Sequence, residues 1–310
     1  MAWTITKLKT TDGATLHVRL LVPSDPPKAI VQINHGMAEH GERYQEFAEA
    51  LSAAGYGVYV HDHRGHGHTT APDSALGIFA RKDGWERVMQ DVSLIHDQIS
   101  DSYPDTPVIC FGHSMGAIIV FNHILRHPGR NAGAILWNSG VETGLLAVVF
   151  GFILRVQRMF KGSDVPSGLA LKATFETWNQ QFAPNRTAFD WLSRDEQEVD
   201  KYINDPLCGF PVSISLWLDV LQGIYFAADN KRLSALPGDL PVHLLAGAQD
   251  PCSEHGKAVS NIAERLTNAK LLDVTLQILA DTRHESLHET NRSQTIDDLI
   301  NWLESRYATG

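Results

Sequence analysis

One stretch limits what this chain can become: Val108-Ile109-Cys110-Phe111-Gly112-His113-Ser114-Met115-Gly116-Ala117. Val108 to Phe111 read as a short strand buried on both faces, and Ile118, Ile119, Phe121, Asn122, Leu125 and Arg126 then recur at helical spacing. Ser114 therefore sits where a strand turns sharply into a helix. Such a turn needs residues without bulk on either side, and Gly112 and Gly116 supply them. The turn lifts the serine hydroxyl clear of the sheet, and it places the Met115 N–H at a helix N-terminus, where it can meet a developing oxyanion. The alternative is an incidental glycine turn. A β run before the motif and an amphipathic helix after it favour a nucleophile.

The rest of the chain falls into place around this turn. Trp3 to Leu8 and Thr15 to Leu20 alternate in polarity across Asp12-Gly13 and predict an antiparallel hairpin. Strands follow at Ala29 to Ile33, Val58 to Val60, Ala134 to Trp137, Val242 to Ala246 and Leu272 to Leu279, with helices expected near 42–54, 85–99, 257–266 and 292–306. This rhythm calls for a mostly parallel sheet covered on both faces by helices. It breaks between about 141 and 235, where aromatic residues lie among charged helical stretches. The chain thus divides into a core, 1–140 and 236–310, and an inserted helical cap, 141–235.

In a sheet of this kind, functional groups gather on loops at the carboxyl ends of the strands. Asp250 follows one late strand and His284 the next, giving the order Ser…Asp…His. In that triad His284 takes the Ser114 proton, and Asp250 orients the imidazole and stabilises its charged form. Each residue also has a purely structural reading, Asp250 as a turn former before Pro251 and His284 as a solvated loop histidine. Asp273 and Asp281 are weaker acid candidates. The loop His35-Gly36-Met37 ends an early strand, where a second oxyanion donor belongs, and the Met37 N–H is assigned to it.

Composition narrows the function. With 26 basic residues against 36 acidic and a formal charge of −10, the chain lacks the positive surface that nucleic-acid binding needs. Three separated cysteines without C-x-x-C spacing give neither a disulfide framework nor a zinc ribbon. Met1 to Thr10 carry no secretory pattern, so a cytoplasmic protein is expected. Two histidine motifs could hold metal. His284-Glu285-Ser286-Leu287-His288 spells the zinc-protease H-E-x-x-H, but it follows a strand and little chain remains for a third ligand; the run His61 to His68 suits a tight glycine loop better.

Taken together, His35-Gly36-Met37-Ala38-Glu39-His40-Gly41-Glu42-Arg43-Tyr44, Asp62-His63-Arg64-Gly65-His66-Gly67-His68, Gly112 to Gly116, Asp250-Pro251 and Arg283-His284-Glu285 resemble an α/β-hydrolase of the monoacylglycerol lipase and lysophospholipase group. The cap segments Phe189 to Asp195 and Asn204 to Phe210 resemble bacterial lysophospholipases. The resemblance implies a serine esterase for single-chain lipid esters, without a cofactor, with oxyanion donors at Met37 and Met115. Two positions depart from the family: Ala38 stands where a second glycine is usual, and His68-Thr69 where Gln or Arg with Ser is commoner. A serine aminopeptidase on the same triad is the nearest rival, and Glu142 and Glu176 are the acidic cap residues to watch for holding a free amine.

Within the cap, Gly144 to Leu154 are apolar on every side yet too short for a bilayer span, which takes about 20 residues. Arg155, Arg158 and Lys161 follow directly. Two readings stay open for this segment: a helix buried against the core, or one that rests on an anionic lipid surface at the pocket mouth.

Overall fold

The computed structural model describes residues 2–308; Met1, Thr309 and Gly310 lie outside the described residues. Eight strands form one sheet in the order β1-β2-β4-β3-β5-β6-β7-β8. They are β1 (Thr4–Lys9), β2 (Thr15–Leu21), β3 (Ile30–Asn34), β4 (Gly57–His61), β5 (Val108–His113), β6 (Gly133–Trp137), β7 (Val242–Gly247) and β8 (Val274–Leu279). The hairpin β1/β2 pairs antiparallel, β2 pairs antiparallel with β4, and every later pairing is parallel. The sheet is therefore mostly parallel, as the sequence rhythm requires.

The central strands β3 to β7 are buried on both faces, which is why their sequences run apolar without alternating. Their side chains still alternate in direction. Val31, Ile33, Ile109, Phe111, Ile135, Trp137 and Leu245 pack toward α1 (Gln45–Ala53) and α11 (Arg292–Tyr307). Cys110, Ala134, Leu136, Leu244 and Ala246 pack toward α3 (Met115–Arg126) and α10 (Lys257–Asn268). The helix α2 (Gly84–Ser102) covers the same face nearer the hairpin, burying Ile95 and Ile99 with Ile30 and Val108. The predicted helix at 42–54 divides into a 3₁₀ turn, Gly41–Tyr44, and α1; the turn lets the Gly41 N–H reach the Asp62 carboxylate at 2.9 Å.

Between β6 and β7 the chain forms α4 (Leu145–Lys161), α5 (Gly168–Leu171), a π turn (Lys172–Glu176), α6 (Thr177–Gln180), α7 (Glu196–Asn204), α8 (Ile214–Ala228) and α9 (Asn230–Leu233). The long α8 packs on α3, and α4 packs on α8. At the contact, a Cβ on Gly223 would stand 2.1 Å from the Trp85 ring, so α8 lies as close to α2 as backbone allows. The strand order reverses between β3 and β5, and the loops that leave those two strands part there to open a crevice.

Phe111 is fully buried among Tyr44, Phe47 and Trp137. Phe111→Ala is expected to cost about 3–5 kcal/mol of unfolding free energy, measured as a lower denaturant midpoint at constant slope.

Candidate active site

The elbow is held by contact distances. A Cβ on Gly116 would lie 1.9 Å from the Asn34 carbonyl oxygen, and one on Gly112 would lie 2.2 Å from the Gly116 oxygen. No larger residue fits at either place. Ser114 between them takes φ 55° and ψ −119°, a strained conformation for a residue with a side chain, and its N–H donates to the Trp137 carbonyl at 2.9 Å. The strain is the cost of projecting Oγ into the crevice.

Two loops bring partners to it. His284 Nε2 stands 3.0 Å from Ser114 Oγ, and His284 Nδ1 stands 3.0 Å from Asp250 Oδ1. A carboxylate can only accept, so Nδ1 carries the proton and donates it to Asp250, leaving the Nε2 lone pair to receive the serine proton. Asp250 is fully buried. Burial alone would push its carboxyl upward, but the His284 charge and bonds from His284, Ser253 and the Cys252 N–H hold it below the ordinary carboxylate value. Its second oxygen accepts from Asn138 Nδ2 at 3.4 Å, and Asn138 is in turn held by the Ser286 hydroxyl at 2.8 Å. The other acid candidates lie apart: Asp273 pairs with Arg306 on α11, and Asp281 is exposed on a turn.

Met37 and Met115 line the same cavity as Ser114 and His284. The Met115 N–H opens α3, among the first N–H groups that a helix leaves unpaired. Ala38 adopts φ 56°, the left-handed region that glycine favours, which is the physical sense of a glycine at this position. The loop is stabilised instead from outside: the Ala38 carbonyl accepts from the Gly209 N–H at 2.9 Å and from the Tyr202 hydroxyl at 3.0 Å. At the second departure, the Thr69 hydroxyl donates to the Asp62 carbonyl at 2.6 Å and accepts from the His17 N–H at 2.9 Å.

Beneath the Gly36–Met37 loop lies a charge network that the sequence reading did not single out. Arg43 donates to Glu39 Oε2 at 2.6 Å and reaches both oxygens of Glu285 at 2.6 and 2.7 Å, all three side chains being buried. Glu39 Oε1 accepts from the Gly36 N–H at 2.6 Å and the Tyr44 hydroxyl at 2.9 Å. His113 Nδ1 lies 3.5 Å from Glu39, and its Nε2 is 2.9 Å from the His284 carbonyl oxygen. Burial would lower the His113 imidazole, but its bond to Glu39 and the charge of Glu39 raise it above the ordinary histidine value. Glu39 and Arg43 at i and i+4 were the only signal in the sequence; Glu285 arrives from a distant strand end.

Neither histidine motif presents ligands as a metal site would. His284 uses both ring nitrogens on Ser114 and Asp250, while His288 lies on a 3₁₀ turn with Nε2 3.0 Å from the Arg43 carbonyl oxygen. Among the described residues, the ring nitrogens of His61 to His68 do not gather into a group of three.

The cavity above Ser114 has a volume of about 260 Å³. Its walls are Ala147 and Phe150 of α4, Trp217, Val220, Leu221 and Ile224 of α8, and the aromatic side chains of Phe175, Trp178 and Trp191. The Trp191 ring lies tilted against the His284 ring, 4.8 Å between centroids, the Trp191 carbonyl accepts from the His284 N–H, and the Leu192 carbonyl accepts from the Glu285 N–H at 2.8 Å. Arg283 donates to the Asp190 and Ser193 carbonyls. The segment before α7 is thus bonded directly to the loop that carries His284.

Sheet order, elbow and the spatial meeting of Ser, His and Asp define an α/β-hydrolase. Residues 25–291 match the family model described as serine aminopeptidase, S33, and the chain belongs to that family. It is 28% identical over 304 residues to human monoglyceride lipase, covering 96% of this chain and 89% of that one. It is also 28% identical over 301 residues to monoacylglycerol lipase of Mycolicibacterium smegmatis, covering 94% of each. Among solved structures, a thermostable carboxyl esterase from Bacillus coagulans in complex with glycerol superimposes with a TM-score of 0.88 at 23% identity over 99% of both chains. A soluble variant of Saccharomyces cerevisiae monoglyceride lipase in complex with a substrate analogue gives 0.75 at 18% identity, covering 100% of this chain and 97% of that one.

The charge network makes a testable statement about pH. Burial pushes the Glu39 carboxyl upward, but Arg43 and His113 hold it well below its ordinary value of 4.5. Its stabilising contribution is complete above pH 4.5 and is lost as pH falls toward the lower folded value. Arg43→Gln leaves Glu39 and Glu285 buried and unpaired, so it is expected to destabilise by about 3–5 kcal/mol and to move acid unfolding to higher pH. Circular dichroism against pH on wild type and variant checks both.

Proposed function

We propose that this protein is a serine hydrolase for carboxylic esters of single-chain lipids, of the monoacylglycerol or lysophospholipid type, acting through an acyl-enzyme. Ser114 Oγ attacks the acyl carbonyl as His284 Nε2 removes its proton. The oxyanion forms between the Met37 and Met115 N–H groups, and the imidazolium returns the proton to the departing alcohol. Water activated by His284 then releases the acid. The observation that carries the reading is the joining of a Ser114–His284–Asp250 chain at 3.0 Å steps to an apolar, aromatic-lined cavity. The human and mycobacterial relatives, named as lipases for monoacylglycerols, support it.

An aminopeptidase needs a free carboxylate to hold the substrate amine. Of the acidic residues around the cavity, Glu39 and Glu285 are both engaged by Arg43, Glu142 accepts from Asn261 at 2.6 Å, and Glu254 lies 3.6 Å from Lys257. Glu176 is not among the lining residues. The cavity favours an acyl chain over a charged terminus.

The helices of 141–235 serve in this reading as a cap over the core of 1–140 and 236–310, with α4 at the mouth. No described helix is long and apolar enough to cross a membrane. Yet α4 is not a buried helix: only Gly151 and Leu154 are buried, while Leu145, Leu146, Phe152 and Phe160 are 78%, 85%, 66% and 84% exposed. Arg155, Arg158 and Lys161 are exposed beside them. An apolar outer face, a basic end and an inner face on the cavity suit peripheral contact with an anionic lipid surface.

Ser114→Ala is expected to abolish fluorophosphonate labelling and to lower ester turnover by about 10⁴- to 10⁶-fold, and Asp250→Asn by about 10⁴-fold. With monoacylglycerols below their aggregation limits, kcat/KM is expected to rise with chain length, up to about two-hundredfold for four methylenes at about 0.8 kcal/mol each. A flat profile, with aminoacyl amides cleaved instead, would replace the lipase by the peptidase. Co-sedimentation with anionic vesicles is expected for wild type and not for the Val148→Asp/Phe152→Asp double variant; equal sedimentation of the two would remove the membrane contact.

A further inference from the structure

About 13 Å along β5 from Ser114, at a strand rise of 3.3 Å per residue, a second group of chemically active side chains lies buried between the sheet, α2 and α3. His96 of α2, Cys110 of β5 and His123 of α3 each place one potential ligand atom within 4.8 Å of the others, and all three residues are buried. We propose that His96, Cys110 and His123 bind one transition-metal ion of the zinc class, at a site separate from the Ser114 centre.

The case rests on polar atoms that the cluster leaves incompletely paired. Gln32 directs its amide N–H to the Val92 carbonyl at 3.0 Å, so its oxygen faces the cluster, 3.2 Å from His96 Nδ1 and 3.6 Å from Cys110 Sγ. The Asn131 amide oxygen lies 2.9 Å from the same sulfur, and His96 Nδ1 lies 4.0 Å from it. The thiol hydrogen can serve only one of these acceptors, and the Asn131 amide nitrogen has no partner. His123 adds to the imbalance: its ring is fully buried, and neither nitrogen has a hydrogen-bond partner. An unpaired buried polar group costs about 1–3 kcal/mol, and this ring carries two such atoms. A cation among these atoms removes the mismatch that hydrogen bonds leave.

The donor set suits zinc. Cysteine with two histidines is borderline-soft, and a side-chain oxygen of Gln32 or Asn131 supplies a fourth position. Ligands at about 2.0–2.3 Å from a tetrahedral ion stand about 3.5 Å apart, so the present spacing closes with small side-chain shifts. Binding breaks the Cys110 S–H bond, forms a sulfur–metal bond and releases one proton to solvent. With all three residues buried and the site apart from Ser114, the ion stabilises the fold and takes no part in ester cleavage. Sequence spacing could not show it, since the ligands come from three separated elements.

The full chain should be unfolded with chelator, refolded with Zn²⁺ or Co²⁺, and dialysed exhaustively. One equivalent of retained metal is expected, together with a thiolate-to-cobalt charge-transfer band in the near ultraviolet. Zn²⁺ should also raise the thermal midpoint relative to refolding in chelator. Cys110→Ser should lose the band and the midpoint shift, whereas Cys208→Ser and Cys252→Ser should keep both. Metal retained without a thiolate band is held by surface histidines and overturns the proposal. So does a band that vanishes with Cys252→Ser, which would place the ion beside Asp250 and His284. If Cys110→Ser fails to fold, wild type decides alone: no retained metal after refolding overturns the site.

Discussion

One buried cation ties together the two loops on which the candidate site depends. Arg43 joins Glu39, which holds the Gly36–Met37 loop through the Gly36 N–H, to Glu285, the residue after His284. Ser114 is positioned by close backbone contacts at the elbow, and His284 is held across this ion cluster. Two carboxylates around one guanidinium leave a net negative charge in a dry interior, and His113 and Tyr44 bond Glu39 to share it. A buried ionic group of this kind adds little net stability but penalises every arrangement in which one member is displaced. It therefore works as a gauge for the distance between the Gly36–Met37 loop and His284.

The same economy appears at Asp250. Removed from water, a lone carboxylate would protonate; surrounded by the Cys252 N–H, Asn138 and the His284 ring, it stays charged and fixes which imidazole nitrogen carries hydrogen. Asn138 itself adopts φ 54° at the end of β6, so a small strained backbone step beside the elbow places the amide that braces the acid. Strain at Ser114, Ala38 and Asn138 clusters on the three loops that surround the reacting atoms.

Much of this was legible in the sequence because it depends on local rules. Continuous apolar runs of five residues told of strands buried on both faces, and glycines at 112 and 116 marked a turn whose contacts, at 1.9 and 2.2 Å, admit no Cβ. The order of Ser114, Asp250 and His284 followed from loops at successive strand ends. What stayed hidden was long-range. Nothing in Glu285 announces a partner at Arg43, and no pattern in Ser286 points to Asn138. The apolar run of α4 was ambiguous for a related reason: composition shows that a face is greasy, while only packing on α8 shows that one side lines a cavity and the other meets solvent.

The bonding of the insertion to the histidine loop divides the insertion mechanically. Residues 190–193 are joined to Arg283, His284 and Glu285 by backbone and guanidinium hydrogen bonds, and Arg194 pairs with Glu289. The stretch from α4 through the π turn makes no such attachment to that loop among the described residues. A rigid-body hinge at β6 and β7 would break these bonds to the loop that carries His284. A seam placed after the π turn leaves these attachments whole, whereas one further along cuts the Trp191 N–H bond to Asn179 and the contact of Arg283 with the Phe182 ring.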